Sequence, residues 1–139
     1  MRRVRVLLAE DHEVVASELC ALLQSECDVV ATVSDGKSLI RSAFELHPDV
    51  IVADISMPVL DGLAAAKQVM DRDRANRIVF VTVHADEALV ERAFEVGALG
   101  YVLKITAGED LLSAVRAAAR DERYLSPLLN RASRDGQTT

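Results

Sequence analysis

Cysteine is scarce in this 139-residue chain: only Cys20 and Cys27 occur. With the three scattered histidines, His12, His47 and His84, they match no zinc-ligand spacing. They read as two ordinary thiols in a reducing compartment. Long apolar runs are missing too. Met1-Arg2-Arg3-Val4-Arg5 leads into only about six apolar or small residues, shorter than a signal-peptide core and far short of a membrane span. The expected location is therefore cytoplasmic, with no membrane partner. Positive charge is in deficit, with a net charge of −6, so the chain as a whole is not built to coat nucleic acid. No Gly-x-Gly-x-x-Gly follows the first apolar run; Glu10-Asp11-His12 stands there, which removes a dinucleotide-binding domain. Lysine is rare, at three (Lys37, Lys67 and Lys104) against thirteen arginines.

Half of the residues are apolar and 27% are charged, a globular composition whose length suits one domain. Apolar runs rich in Val, Ile and Leu recur at 4–9, 29–33, 50–53, 78–83 and 99–103. Helical periodicity separates them: Val15, Leu19, Leu22 and Leu23 share one face, Leu89, Ala93 and Val96 another, and Leu111, Leu112, Val115 and Ala119 a third. A helix after Asp35 must stop at Pro48, and Gly97 stands where the fourth helix needs a left-handed cap. Strands with continuous rather than alternating apolar residues are buried on both faces. The expected fold is thus α/β, a five-stranded parallel doubly wound sheet.

In such sheets the site lies beyond the carboxyl ends of the strands. Strand one ends at Glu10-Asp11, strand three at Asp54, strand four at Thr82 with His84 two residues on, and strand five at Lys104. Three neighbouring carboxylates repel unless a cation intervenes, and Mg²⁺ suits one or two carboxylates with water and a phosphate. An ammonium and a hydroxyl can neutralise and orient a phosphoryl group, and a carboxylate can accept one as an acyl phosphate. Asp54 heads the central strand and is the best nucleophile. Singly, each residue has a plainer reading: Glu10-Asp11 as helix-capping charge, Thr82 as a strand residue, Lys104 as a solvated strand end. Asp61-Gly62 reads as turn and cap chemistry. A metal-dependent phosphatase or phosphotransferase of the haloacid dehalogenase type carries a second Asp two residues after its aspartyl nucleophile as general acid, where Ser56 stands here.

The runs Glu10-Asp11-His12, Asp54-Ile55-Ser56-Met57-Pro58-Val59-Leu60-Asp61-Gly62, Thr82 and Gly100-Tyr101-Val102-Leu103-Lys104 resemble the receiver domains of bacterial response regulators, a flavodoxin-like (βα)5 fold, over residues 4 to about 127. The resemblance implies Asp54 as phosphoacceptor, with Glu10, Asp11, Asp54 and the Ser56 backbone carbonyl as Mg²⁺ ligands. Thr82 and Lys104 would contact the phosphoryl oxygens, and Tyr101 would be the aromatic switch. A sensor histidine kinase would be the donor, and a homodimer on phosphorylation is expected through the last helix (Leu112, Val115, Arg116, Ala119) or through helix four and strand five. The chain would not be an enzyme beyond its own labelling and slow dephosphorylation. Two departures tune access: Val83 follows Thr82 where Ala or Gly is usual, and Ile105 follows Lys104 where a cis proline is usual. A trans peptide is expected there, because a non-proline cis bond costs about 3–4 kcal/mol.

These features, with Thr82-Val83-His84 and the run Glu122-Arg123-Tyr124-Leu125-Ser126-Pro127, resemble the NarL/FixJ (LuxR-type) subfamily, whose receivers precede a helix-turn-helix domain. DNA would be met only through such a domain, absent from this chain. The expected organisation is a receiver over 1–123 and a partly disordered linker or tail over 124–139. A stand-alone receiver, or a pseudo-receiver working without phosphorylation, is the alternative.

Overall fold

A computed structural model describes residues 2–129. The chain alternates β1 (Arg5–Ala9), α1 (Glu13–Gln24), β2 (Asp28–Val33), α2 (Gly36–Leu46), β3 (Val50–Ala53), α3 (Gly62–Arg72), β4 (Ile78–Thr82), α4 (Glu87–Glu95), β5 (Gly100–Leu103), a 3-10 turn at Lys104–Thr106, α5 (Ala107–Ala119) and β6 (Tyr124–Leu125). All pairings are parallel, in the order β2-β1-β3-β4-β5-β6. The order reverses beside β1, which opens the crevice between the ends of β1 and β3. Successive residues of each strand feed opposite faces. Leu7, Ile51, Phe80 and Tyr101 pack with α2, α3 and α4 residues, and Val6, Leu8, Val52, Val81 and Val102 with α1 and α5 residues. β3 is buried at all four positions.

Local sequence sets the element ends. Asp35 and Asp61 cap α2 and α3, their carboxylates accepting the Ser38 and Ala64 amides, each at 2.8 Å. His12, not Glu10 or Asp11, is the N-cap of α1 and accepts the Val15 amide, so the two acids are free of capping duty. Gly97 closes α4 at φ +106, and His47, ahead of Pro48, closes α2 in the left-handed region.

The sheet has six strands rather than the five read from apolar runs. β6 pairs through Gly100 with Tyr124 and Tyr101 with Leu125. Two residues are too short to show a strand pattern, and they lie inside the segment expected as a tail. Ser126 and Leu129 beyond them are buried. Residues 130–139 of that expected tail lie outside the described residues.

Candidate functional site

Asp54 follows the last residue of β3 and is 5% exposed, so a fixed carboxylate sits at the mouth of the sheet. Its amide is tied to the carbonyl of Ala9 at 3.0 Å. Glu10, one residue past β1, is 2% exposed, and Asp11 is exposed. One carboxylate oxygen from each of the three lies within 4.8 Å of the others. Lys104, the first residue after β5, reaches across to bond Asp54 Oδ2 at 2.8 Å and to approach Glu10 Oε1 at 2.5 Å. The buried Glu10 Oε1 has no hydrogen-bond partner besides this contact, so it depends on the Lys104 ammonium.

These charges set one another. Burial pushes the Glu10 carboxyl up, the charge of Asp54 adds to that, and Lys104 and the His12 amide pull against it without winning. Burial alone would lower Lys104, but its bonds to Asp54 and Glu10 outweigh that and raise it, so it stays an ammonium. Two buried acids thus share one lysine, with exposed Asp11 beside them. The three converging carboxylates, more negative charge than one lysine offsets, fit a hard divalent cation with oxygen ligands.

The other expected site residues form a second layer centred on His84. Thr82 is fully buried and its Oγ1 accepts the His84 amide at 3.2 Å. Tyr101, also buried, donates its hydroxyl to the His84 carbonyl at 2.7 Å, and burial, with the charges of Asp86 and Asp54, pushes it up to about 12. The His84 ring meets Ser56 Oγ at 3.0 Å, and the Ser56 amide donates to Asp54 Oδ1 at 3.2 Å. Val83 and Ile105 are 70% and 86% exposed, and no described peptide bond is cis. An open groove lined by Asp11, Ser56, Met57, Asp61, His84 and Arg92 gives entry.

The model of the response regulator receiver domain matches residues 6–116. The chain belongs to that family. As a receiver it is 39% identical over 124 residues to the transcriptional regulatory protein LiaR of Bacillus subtilis (88% of this chain, 59% of LiaR). It is 33% identical over 126 residues to the response regulator protein VraR of Staphylococcus aureus (89% and 60%). The receiver thus spans about three-fifths of these relatives. A LuxR-family response regulator from Aurantimonas sp. SI85-9A1 superposes with a TM-score of 0.92 at 29% identity, covering 99% of both chains. The receiver of a putative NarL from Mycobacterium tuberculosis gives 0.82 at 27%, covering 86% of this chain and 98% of its own. The NarL/LuxR affinity read from the sequence holds, as does the flavodoxin-like fold.

Sequence reading missed two features of the surroundings. Val59, 71% exposed, has φ +69, and the Leu60 amide bonds the Pro58 carbonyl across it at 2.7 Å, a tight γ-turn of the strained hand. A β-branched residue there is a genuine outlier, and no pattern in Met57-Pro58-Val59-Leu60 announces it. Left-handed strain of about 1–2 kcal/mol exceeds the roughly 0.5–1 kcal/mol entropic cost of glycine. Val59→Gly is expected to raise the urea midpoint by the equivalent of about 0.5–1 kcal/mol; an unchanged or lower midpoint would contradict the strain. The second missed feature is a polar cluster around Asp110, behind Lys104.

Proposed function

We propose that Asp54 accepts a phosphoryl group from a phosphohistidine of a sensor kinase, in a Mg²⁺-dependent step, and that the labelled domain switches a downstream output. The observation that carries this is the Asp54 carboxylate, fixed at the end of a buried strand between Lys104 and two further acids. Glu10, Asp11 and Asp54, with the Ser56 carbonyl, would hold the metal. Bound there, Mg²⁺ supplies positive charge to phosphoryl oxygens. An Asp54 oxygen forms the new O–P bond as the donor's P–N bond breaks, and the imidazole leaves with that electron pair. Lys104 offsets the charge of the phosphoryl oxygens, and Thr82 turns its hydroxyl to them, releasing the His84 amide and with it Tyr101. Water attack on phosphorus later returns the carboxylate and inorganic phosphate. The domain is thus its own substrate, in single-turnover signalling rather than metabolism.

The reading places the domain in the cytoplasm, where such kinases present their phosphohistidine; no described helix is long and apolar enough to cross a membrane. Transcription would be the output, as the names of the relatives suggest, through a DNA-binding domain carried elsewhere in a longer protein. A labelled homodimer would use the α5 face at Leu112, Arg116 and Ala119. Val115 of that expected set is 1% exposed and packs into the core, and the edge of β5 carries β6.

The test is intact mass after incubation with acetyl phosphate, with and without Mg²⁺, beside Asp54→Asn. One phosphoryl group is expected, dependent on Mg²⁺ and lost in the variant. No gain by the folded protein would refute the reading and favour a phosphorylation-independent interaction module. Once labelled, Val83→Ala is expected to shorten the acyl phosphate lifetime several-fold, since the bulky, exposed Val83 next to buried Thr82 would hinder water from reaching the phosphoryl group. An equal lifetime would make Val83 a bystander.

A further inference from the structure

Lys104 begins a loop with no evident anchor on its outer side. Ile105, next in the chain, is 86% exposed and packs on nothing that would fix it. The loop is held from behind instead. The Leu103 amide, immediately before Lys104, donates to Ser126 Oγ at 3.1 Å, and Ser126 is fully buried. The Thr106 hydroxyl, two residues after Lys104, donates to Asp110 Oδ2 at 2.7 Å. Ser126 Oγ donates to that same oxygen at 2.8 Å, and the Tyr124 hydroxyl donates to Asp110 Oδ1 at 2.7 Å. Both sides of Lys104 are therefore wired to one buried carboxylate in the first turn of α5 and to the strand that follows α5.

We infer that Asp110 and Ser126 are positioning residues for Lys104, so that the segment 124–126 is a working part of the phosphoryl site and not a tail. This rests on the proposed function for its phosphoryl readout, though not for the placement itself. Lys104 touches the reacting carboxylate; Asp110 and Ser126 touch only its loop. Their action is to fix where the backbone of residues 103–106 starts, and hence where the ammonium ends. A misplacement of about 1 Å at such a group costs about two orders of magnitude in rate. Arg123, beside this network, has a different job: its guanidinium lies over the Phe94 ring of α4 at 4.9 Å. It offers a control that loosens the segment without touching the network.

The full chain is compared with Ser126→Ala, Asp110→Asn, Thr106→Val and Arg123→Ala, each below its melting temperature. Two readouts are taken: the rate of labelling by acetyl phosphate with Mg²⁺, and the rate of reductive methylation of each lysine by mass spectrometry. Only three lysines occur, so Lys104 is resolved against Lys37 and Lys67 as internal references. The expected result is labelling slowed about tenfold, with Lys104 methylated several-fold faster, in the three network variants and not in Arg123→Ala. Thr106→Val, the mildest change, keeps the test open should Asp110→Asn fail to fold. The inference is overturned if Lys104 reactivity and labelling stay at wild-type levels in the folded network variants, or if Arg123→Ala matches them. If the unaltered chain takes no phosphoryl group, the proposed function falls, and the methylation rates alone decide the positioning.

Discussion

Alanine in place of Gly62 is expected to lower stability by about 3 kcal/mol, the upper end of ordinary overpacking, and to slow labelling of Asp54 more than tenfold. The cause is proximity, not backbone freedom, since Gly62 is an ordinary first-turn residue of α3. A Cβ there would lie 1.9 Å from the Asp54 carbonyl oxygen and 2.9 Å from the Ile55 Cα. Both are backbone atoms, with no rotamer to yield. The Gly62 amide also bonds the Ile55 carbonyl at 2.7 Å, so α3 cannot swing away without losing that bond. Relief must come from moving the Asp54 peptide, which carries the nucleophile away from Lys104. Gly108 is the control, because a Cβ there meets nothing within 4 Å. Gly108→Ala is expected to be neutral or stabilising by about 0.5–1 kcal/mol. Urea unfolding and mass labelling of both variants check this, and a Gly62→Ala protein with wild-type midpoint and rate would refute it.

Glu10, Asp11, Asp54, Thr82 and Lys104 were legible in the sequence because each sits at the end of an apolar run, and a doubly wound sheet brings such ends to one edge. Asp61 was legible as a cap, because capping is decided within three residues. What failed depended on distant partners. Val115 looks like a surface apolar residue on the α5 stripe, but it is buried against the sheet. Asp110 looks like one more acid in the first turn of a helix, beside Glu109. It is buried because Tyr124 and Ser126 return to it, 14 and 16 residues later. Nothing in the two-residue strand Tyr124–Leu125 signals that return, so a structural segment read as a tail. The hub role of His84 was illegible for the same reason, since its bonds to Ser56 and Tyr101 cross to two other segments, 28 and 17 residues away.

Removing Asp110 altogether is expected to cost about 3 kcal/mol at neutral pH and steadily less below about pH 4. Three hydroxyls donate to its two oxygens. A hydrogen bond to a charged acceptor is worth about 1.5–3 kcal/mol, and the cost of burying the carboxylate cancels part of the sum. In Asp110→Ala the hydroxyls of Thr106, Tyr124 and Ser126 lose their acceptor, and Ser126 is fully buried while the other two are partly so. Burial alone would raise the pKa of Asp110, but the bonds from Thr106, Tyr124 and Ser126 outweigh it and hold the carboxyl below its ordinary value. A carboxyl whose folded pKa lies below its unfolded value, about 3.9, contributes its full stability above that unfolded value. The contribution is lost as pH falls through the folded pKa. Tyr124 remains a donor throughout, because burial and then its bond to Asp110 push its hydroxyl up to about 12. Unfolding in urea at a series of pH values from 7 to 3 should therefore show the two proteins converging in acid. A difference that stays constant with pH would mean that packing, and not the charge of Asp110, holds the C-terminal strand against the loop that carries Lys104.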